Sequence, residues 1–231
     1  MKGGIILHPS QQWFENNLGE RIIKALENNK IPAKYFKTSK EAKEFILDNI
    51  PMDATVGIGG SVTIRQLGLI KALEERGNKL FHHWHEEMGH DEDGNKLDNW
   101  YRGLDLEVRR QALLSDVYLC STNAVTRDGK LVNADGNANR TAAMTFGPKK
   151  VIIIAGKNKI VDDVDAGIAR IRNVAAPMSA HRGKANTPCA TTGVCTDCSS
   201  TDRACSVITI VEKKPKMTDM TFILVGEDLG F

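Results

Sequence analysis

Two runs, Val117-Tyr118-Leu119-Cys120 and Val151-Ile152-Ile153-Ile154, carry almost no polar side chain on either face. A strand that reads as a continuous apolar run is covered on both sides, so both belong in the interior of a sheet flanked by other layers. Between them lies a polar segment, Asn133-Ala-Asp-Gly-Asn-Ala-Asn-Arg140, which has to emerge at a sheet end. In open α/β folds ligands bind at the carboxyl ends of strands. The stretch from Asp116 to Lys159 therefore organises the chain, with Asn123 at the end of the first run contributing to the expected site.

The flanking sequence alternates strand and helix signals. Phe14, Leu18, Ile22 and Leu26 recur four apart and predict a helix over Trp13–Asn28. Ala33–Thr38 reads as a strand. Ser39 reads as the N-cap of a helix carrying Ala42, Phe45 and Ile46, which Pro51 closes. Ala54–Ile58 and Lys79–Trp84 read as strands, separated by a helix with Ile64, Leu67, Ile70 and Leu73. A further helix, Asn99–Ser115, has Trp100, Leu104, Val108 and Ala112 in one stripe. Asp128-Gly129 signals a hairpin between Ala124-Val125 and Leu131-Val132. Asn137–Met144 opens a helix that Gly147-Pro148 stops, and Val164, Ile168, Ile171 and Ala175 stripe another that ends near Pro177. Strands are expected again at Val207–Val211 and Phe222–Val225. This alternation predicts a three-layer α/β fold with a mostly parallel sheet. With no repeat and no separating linker, residues 1–231 are expected to form a single domain, a cysteine-rich loop (186–206) preceding the last strands.

A net charge of +2 with 26% charged residues gives no electrostatic case for nucleic acid or a membrane surface. No apolar run approaches the ~20 residues of a membrane span. The first residues lack a signal-peptide core. A cytoplasmic protein is expected, and five cysteines in a reducing compartment point to ligands, catalysis or core before disulfides.

The chemistry of the central site is read as follows. The turn Gly57-Ile-Gly-Gly-Ser61 runs from strand into helix, so the N–H groups of Gly59, Gly60 and Ser61 could hold a carboxylate or phosphate. The competing reading is a tight turn capped by Ser61; neither nucleotide fingerprint is met. Arg140 offers a planar fork for the same anion. Asn123, Asn133 and Asn139 would orient hydroxyls or carbonyls, or in the case of Asn137 and Asn139 cap a helix. Asp135 is the candidate base, its alternative being a structural Asp-Gly turn. Lys157 and Lys159, just past a buried strand, are placed at the mouth of the site over ordinary surface positions. His85, Glu86 and His90 lack the four-residue histidine spacing of a zinc protease, so His82–His90 is read as a solvated loop, with a looser metal site or lid as alternatives.

Cys189, Cys195, Cys198 and Cys205 form a C-x5-C-x2-C-x6-C arrangement in a segment that cannot supply its own core. C-x2-C puts two thiolates on one tight turn, and the longer loops bring the outer pair round to complete a tetrahedron. The donor set suits an iron–sulfur cluster, taken as [4Fe-4S], with zinc as the alternative. Arg203 and Asp197 would stand behind the thiolates or form an exposed pair. Cys120, alone on an apolar strand, reads as a buried inert thiol.

Ser121-Thr-Asn-Ala124, Asp128–Asn133, Asp135-Gly136, Asn139-Arg140 and Phe146–Lys150 together resemble the LUD domain of lactate-utilisation proteins, as do Gly59–Thr63 and Gly156–Lys159. These motifs span residues 55–178. The resemblance implies the fold of sugar-phosphate isomerases and CoA transferases. It also implies a subunit or accessory in oxidation of L-lactate or a related 2-hydroxy acid, working with iron–sulfur redox subunits. The four-cysteine loop is not general to that family and resembles a branch of short single-domain members. Two functions follow. In one, a cysteine-bound cluster carries electrons beside a small carboxylate or phosphate-bearing ligand, which requires the cysteine loop to fold back towards Gly59–Ser61. In the other, zinc staples the loop of a non-catalytic anion-binding or regulatory module. A homo-oligomer is compatible with either.

Overall fold

The computed structural model describes residues 8–84 and 102–231. The chain runs α1 (Pro9–Asn28), β1 (Ala33–Phe36), α2 (Ser39–Asp48), β2 (Val56–Ile58), α3 (Val62–Gln66), α4 (Leu69–Glu75) and β3 (Leu80–Phe81). It continues through α5 (Arg102–Ala112), β4 (Val117–Cys120), β5 (Ala124–Thr126), β6 (Leu131–Asp135), α6 (Asn139–Thr145), β7 (Lys150–Gly156) and β8 (Ile160–Val161). The last elements are α7 (Val164–Arg170), α8 (Ala176–Arg182), α9 (Pro188–Thr192), β9 (Val207–Val211) and β10 (Asp219–Val225).

Six strands form one sheet in the order β1-β10-β7-β4-β2-β3, and every neighbouring pair is parallel. Alternation along the central strands splits the core into two layers. Tyr118, Cys120, Val151, Ile153, Phe222 and Leu224 face α1, α5 and α6, where Ile22, Leu26, Ala112 and Met144 meet them. Val117, Leu119, Ile152, Ile154, Ile223 and Val225 face Ala42, Ile46, Ile64, Leu69 and Leu73 of α2, α3 and α4. Both faces of β4 and β7 are thus apolar because both are covered, giving the three-layer α/β architecture with a parallel sheet.

A second sheet, β8-β5-β6-β9, was not foreseen as such. The segment between β4 and β7 is more than a polar loop: it contains the expected hairpin, β5 antiparallel to β6, and β9 adds antiparallel to β6. Val207–Val211 is therefore an edge strand of this smaller sheet. Along it Val211 is buried, Thr209 half-buried, and Val207, Ile208 and Ile210 exposed.

Other boundaries move for local reasons. The first helix begins at Pro9, because His8 and Gln11 close a capping box and proline is favoured in the first turn. Thr38, not Ser39, caps α2: its hydroxyl accepts from Glu41 N–H while Glu41 returns a carboxylate to the Thr38 N–H. Ser39 instead donates to Glu227 at 2.6 Å. The helix expected through Ile64 and Leu73 is broken at Gly68, which takes φ 62. The helix expected to stop near Pro177 runs on to Arg182. A wide π-type turn at Ile171–Ala175 precedes Pro177, which then sits in a first turn where its missing N–H leaves no broken bond. Lys79–Trp84 contributes only Leu80–Phe81 as strand. Residues 85–101, including His85, Glu86, His90 and the start of the Asn99 helix, lie outside the described residues.

Gly129 and Gly77 separate two causes of glycine requirement. Both have positive φ, 80 and 85. A Cβ at Gly77 meets nothing, whereas at Gly129 it stands 2.6 Å from the Ala25 carbonyl carbon of α1. Asn29 locks that contact by donating to the Asp128 and Gly129 carbonyls. Gly77→Ala should cost about 1 kcal/mol from left-handed strain alone, and Gly129→Ala about 1–3 kcal/mol more because helix backbone has to move. Urea denaturation of the two variants checks the ordering.

Candidate functional site

The carboxyl ends of β2, β4 and β7 converge on a cavity of about 540 Å³. Its wall takes Gly60, Ser61 and Thr63 after β2, Ser121, Thr122 and Asn123 after β4, and Lys159 after β7. Asp135, Asn139 and Arg140 close one side, and Arg182 at the end of α8 another. Gly59, Asn133 and Lys157, all expected at the site, are not in this wall.

The glycine turn is a cap more than an anion cradle. Gly59 N–H donates to the Leu119 carbonyl and Ser61 N–H to the Gly59 carbonyl, so two of the three expected donors are committed. Ser61 caps α3, accepting from Ile64 N–H at 3.4 Å. Gly60 faces His83, whose Nε2 stands 3.2 Å from where a Cβ would be.

Arg140 and Asp135 are turned towards each other. Arg140 Nη2 lies 2.6 Å from Asp135 Oδ1 and also donates to Asn123 Oδ1 and the Ala134 carbonyl. Its Nη1 donates to the Ser121 carbonyl and its Nε to Asp135. Burial opposes this charge, but attraction and hydrogen bonds from Asp135 outweigh it and raise the guanidinium above its usual range. The fork expected for a ligand therefore ties β4, β6 and α6 together. Asp135, the expected base, holds Arg140 with one oxygen and accepts Thr141 N–H at 2.8 Å with the other. It does the capping that Asn137 or Asn139 was expected to do, while Ala138 occupies the N-cap position with φ 58. Asn123 accepts from Ala134 N–H, and Asn133 Oδ1 accepts from Asn123 N–H. Asn139 Oδ1 accepts from Arg109.

The two lysines part company on a single 3-10 turn, Lys157–Lys159. Lys157 pairs with Glu15 of α1 at 2.8 Å. Lys159 points inward and is 2% exposed. Asn158, between them, pins the turn by donating to the Gly230 carbonyl and accepting from Leu229 N–H. Lys159 Nζ donates to Ser121 Oγ at 2.8 Å and Thr63 Oγ1 at 3.0 Å. Among the described residues no carboxylate pairs with it. Burial, reinforced by Arg170 and Arg140, pulls its amine down to about 7. This hydroxyl–amine–hydroxyl group is what residue-by-residue reading missed. Thr63 and Ser121 sit inside the sequence motifs, but nothing in their spacing joins positions 63, 121 and 159; only the order of parallel strands does.

Arg182 adds positive charge to the same wall. Burial, then Arg65 and Arg109, lower its guanidinium to about 10. Arg65 and Arg182 each lie over the Trp84 ring, at 4.9 and 4.7 Å, and His83 stacks on it. His82 lies 3.5 Å from Glu74. Lys159, Arg109 and Arg182 thus put basic side chains in the cavity wall, alongside the carboxylates of Asp135 and Asp202. Cys120, beneath it, is raised to about 12 by burial and is inert as expected.

All four loop cysteines border a second, smaller cavity of about 20 Å³. Arg203 fastens the loop: it donates to the Cys198 and Cys205 carbonyls and to Asp197 Oδ1 at 2.6 Å. Four thiols with two arginines, Arg172 and Arg203, in the same wall are a donor set that fits an anionic thiolate site. As arranged, no three of the described His, Cys, Asp and Glu side chains form a group that could hold a metal ion. The two cavities share Ala176, Ala180, Arg203 and Ala204.

The sequence profile of the LUD domain matches residues 19–225. This chain belongs to the LUD domain family. The match extends well beyond the motifs at 55–178 and takes in the cysteine loop and both C-terminal strands. LUD-domain membership carries a general association with lactate utilisation. The LUD chain is also similar to the crystal structure of a DUF162 family protein from Deinococcus radiodurans, over 92% of this chain and 98% of that one, at 12% identity and TM-score 0.48. No curated protein matches it. Among the described residues of this LUD protein no helix is long and apolar enough to cross a membrane.

Two outcomes follow from the electrostatics. Asp135→Asn leaves Arg140 buried without its counter-charge, and should destabilise the fold by about 3 kcal/mol in chemical denaturation. Lys159 has the opposite sign. Its folded amine is at about 7 against an ordinary 10.5, so between those values the unfolded chain binds more protons. Stability should rise as pH is raised from about 7 to about 10.5, with the full penalty present below 7. Lys159→Met should remove that rise and increase the melting temperature at pH 7, which calorimetry across pH would record.

Proposed function

We propose that this LUD protein binds a small 2-hydroxy or 2-oxo acid in the larger cavity and carries an iron–sulfur cluster, taken as [4Fe-4S], on Cys189, Cys195, Cys198 and Cys205. It would act as a redox subunit or accessory in oxidation of L-lactate or a related 2-hydroxy acid. The observation that carries the reading is the common wall of the two cavities: Ala176, Ala180, Arg203 and Ala204 border both the pocket and the thiols. A cysteine loop lying against the wall of the larger cavity supports the redox reading. One-electron transfer is the chemistry such a cluster supplies when bound.

The chain's own residues account for the ligand class. Lys159 and Arg182 place basic groups in the wall of the cavity, within reach of an acid's carboxylate. The hydroxyls of Thr63 and Ser121 match a C2 oxygen in size and can donate or accept. Asn123, held by Arg140 and Ala134, fixes the floor. Arg203 holds two cysteine carbonyls and spans the wall, so ordering of the loop and of the pocket are coupled.

The alternative, a zinc staple in an anion-binding or regulatory module, draws on a different observation: α9 buries none of its residues, so the loop has little core of its own. Iron and acid-labile sulfide analysis of anaerobically purified protein separates the two. Iron with sulfide, both lost in Cys195→Ser while the pocket still binds L-lactate, is the expected result. A colourless protein holding one zinc and no sulfide contradicts it.

A further inference from the structure

We propose that Lys159 is a nucleophile that forms an imine with the C2 carbonyl of a small 2-oxo acid held in the larger cavity. The inference rests on the acid-binding reading above and adds a covalent step to it.

Geometry carries the case. An amine 2% exposed borders the cavity at the carboxyl edge of the sheet, its Nζ fixed between Ser121 Oγ and Thr63 Oγ1. A lysine buried for structural reasons alone is ordinarily joined to a carboxylate. Here, among the described residues, it has none, and the nearby charges, Arg170 and Arg140, are of its own sign. Those conditions keep a lysine partly neutral near pH 7, and a neutral amine has the lone pair that carbonyl addition needs. Gly230 closes over the same atoms: a Cβ there would stand 2.5 Å from Thr63 Oγ1 and 3.3 Å from Nζ. The backbone thus comes as near the amine as a side-chain-free residue allows, which restricts the room beside Nζ to a small reactant.

The step balances without any co-reactant. The Nζ lone pair adds to C2 and one N–H proton passes to the carbonyl oxygen, giving a carbinolamine. Loss of that oxygen as water, protonated through the Thr63 or Ser121 hydroxyl, leaves the C=N bond. Amine and ketone become imine and water, with no change of oxidation state. Arg182 stands in the same cavity wall. The imine makes the C3 protons acidic, so the activity to expect belongs to carbon-acid chemistry next to a 2-oxo acid: proton exchange, or making and breaking the C3 bond.

The test uses the full chain with pyruvate at pH 7. Binding is followed by calorimetry; a parallel sample is reduced with borohydride and peptide-mapped by mass spectrometry. A reduced adduct on Lys159 is expected, in excess over any surface lysine by on the order of a thousandfold, from the larger neutral fraction of the buried amine. The wild-type map needs no variant; Lys159→Arg should lose the adduct while keeping a cooperative unfolding transition. Heat of binding with no adduct on Lys159, or adduct spread evenly over surface lysines, overturns the imine and leaves the acid-binding reading standing. No heat and no adduct overturns both.

Discussion

The buried Arg140–Asp135 pair is the interaction on which the functional end of this molecule depends. One guanidinium takes the carbonyls that follow β4 and end β6, the Asn123 amide oxygen and the Asp135 carboxylate, while that carboxylate caps α6. A charge pair removed from water needs its remaining hydrogen bonds met to be tolerated, and here they are met by the Ser121 and Ala134 carbonyls, Asn123 Oδ1 and the Thr141 N–H. The pair joins the parallel sheet to the smaller mixed one at the strand ends that border the larger cavity.

That arrangement decides what is left for chemistry. With Arg140 and Asp135 holding each other, the inward-facing cation of the cavity floor is Lys159, set between two hydroxyls and beside further positive charge. A folded protein keeps such a group at a cost in stability that packing elsewhere has to offset, which is the usual signature of a functional position and not of a structural one. The cysteine loop is different in kind. It adds little to the core, is tied down by Arg203, and shares its wall with the larger cavity. The same helix, α8, lines both places, so binding in one has a short mechanical route to the other.

The scaffold was readable in the sequence because its physics is local and periodic. The uniform apolar runs at 117–120 and 151–154 required covered central strands, and Asp128-Gly129 required a turn. Where reading failed, a tertiary partner had intervened. Thr38 displaced Ser39 as cap because Glu227 recruits Ser39; the helix through Pro177 persisted because a π-type turn absorbs the missing N–H. The polar residues gather at the expected sheet end, but several of them are engaged with one another. Arg140 and Asp135 have the residue types of a ligand fork and a base. Only the fold reveals that they lie against each other, and that Lys157 and Lys159, two positions apart, turn in opposite directions. Hydroxyls at 63 and 121 meeting an amine at 159 follow from strand order, which no spacing encodes.

The central claim is that Lys159 is a buried amine, partly neutral near pH 7, set between two hydroxyls in the wall of the larger cavity. Its most direct measurement is an NMR titration of the lysine side chains, with the Lys159 signal assigned from its absence in Lys159→Arg. The account predicts a midpoint near 7 for that one resonance, well apart from the rest. A midpoint near the ordinary 10.5 would contradict it, and with it the reading of the cavity as a site for a reactive lysine.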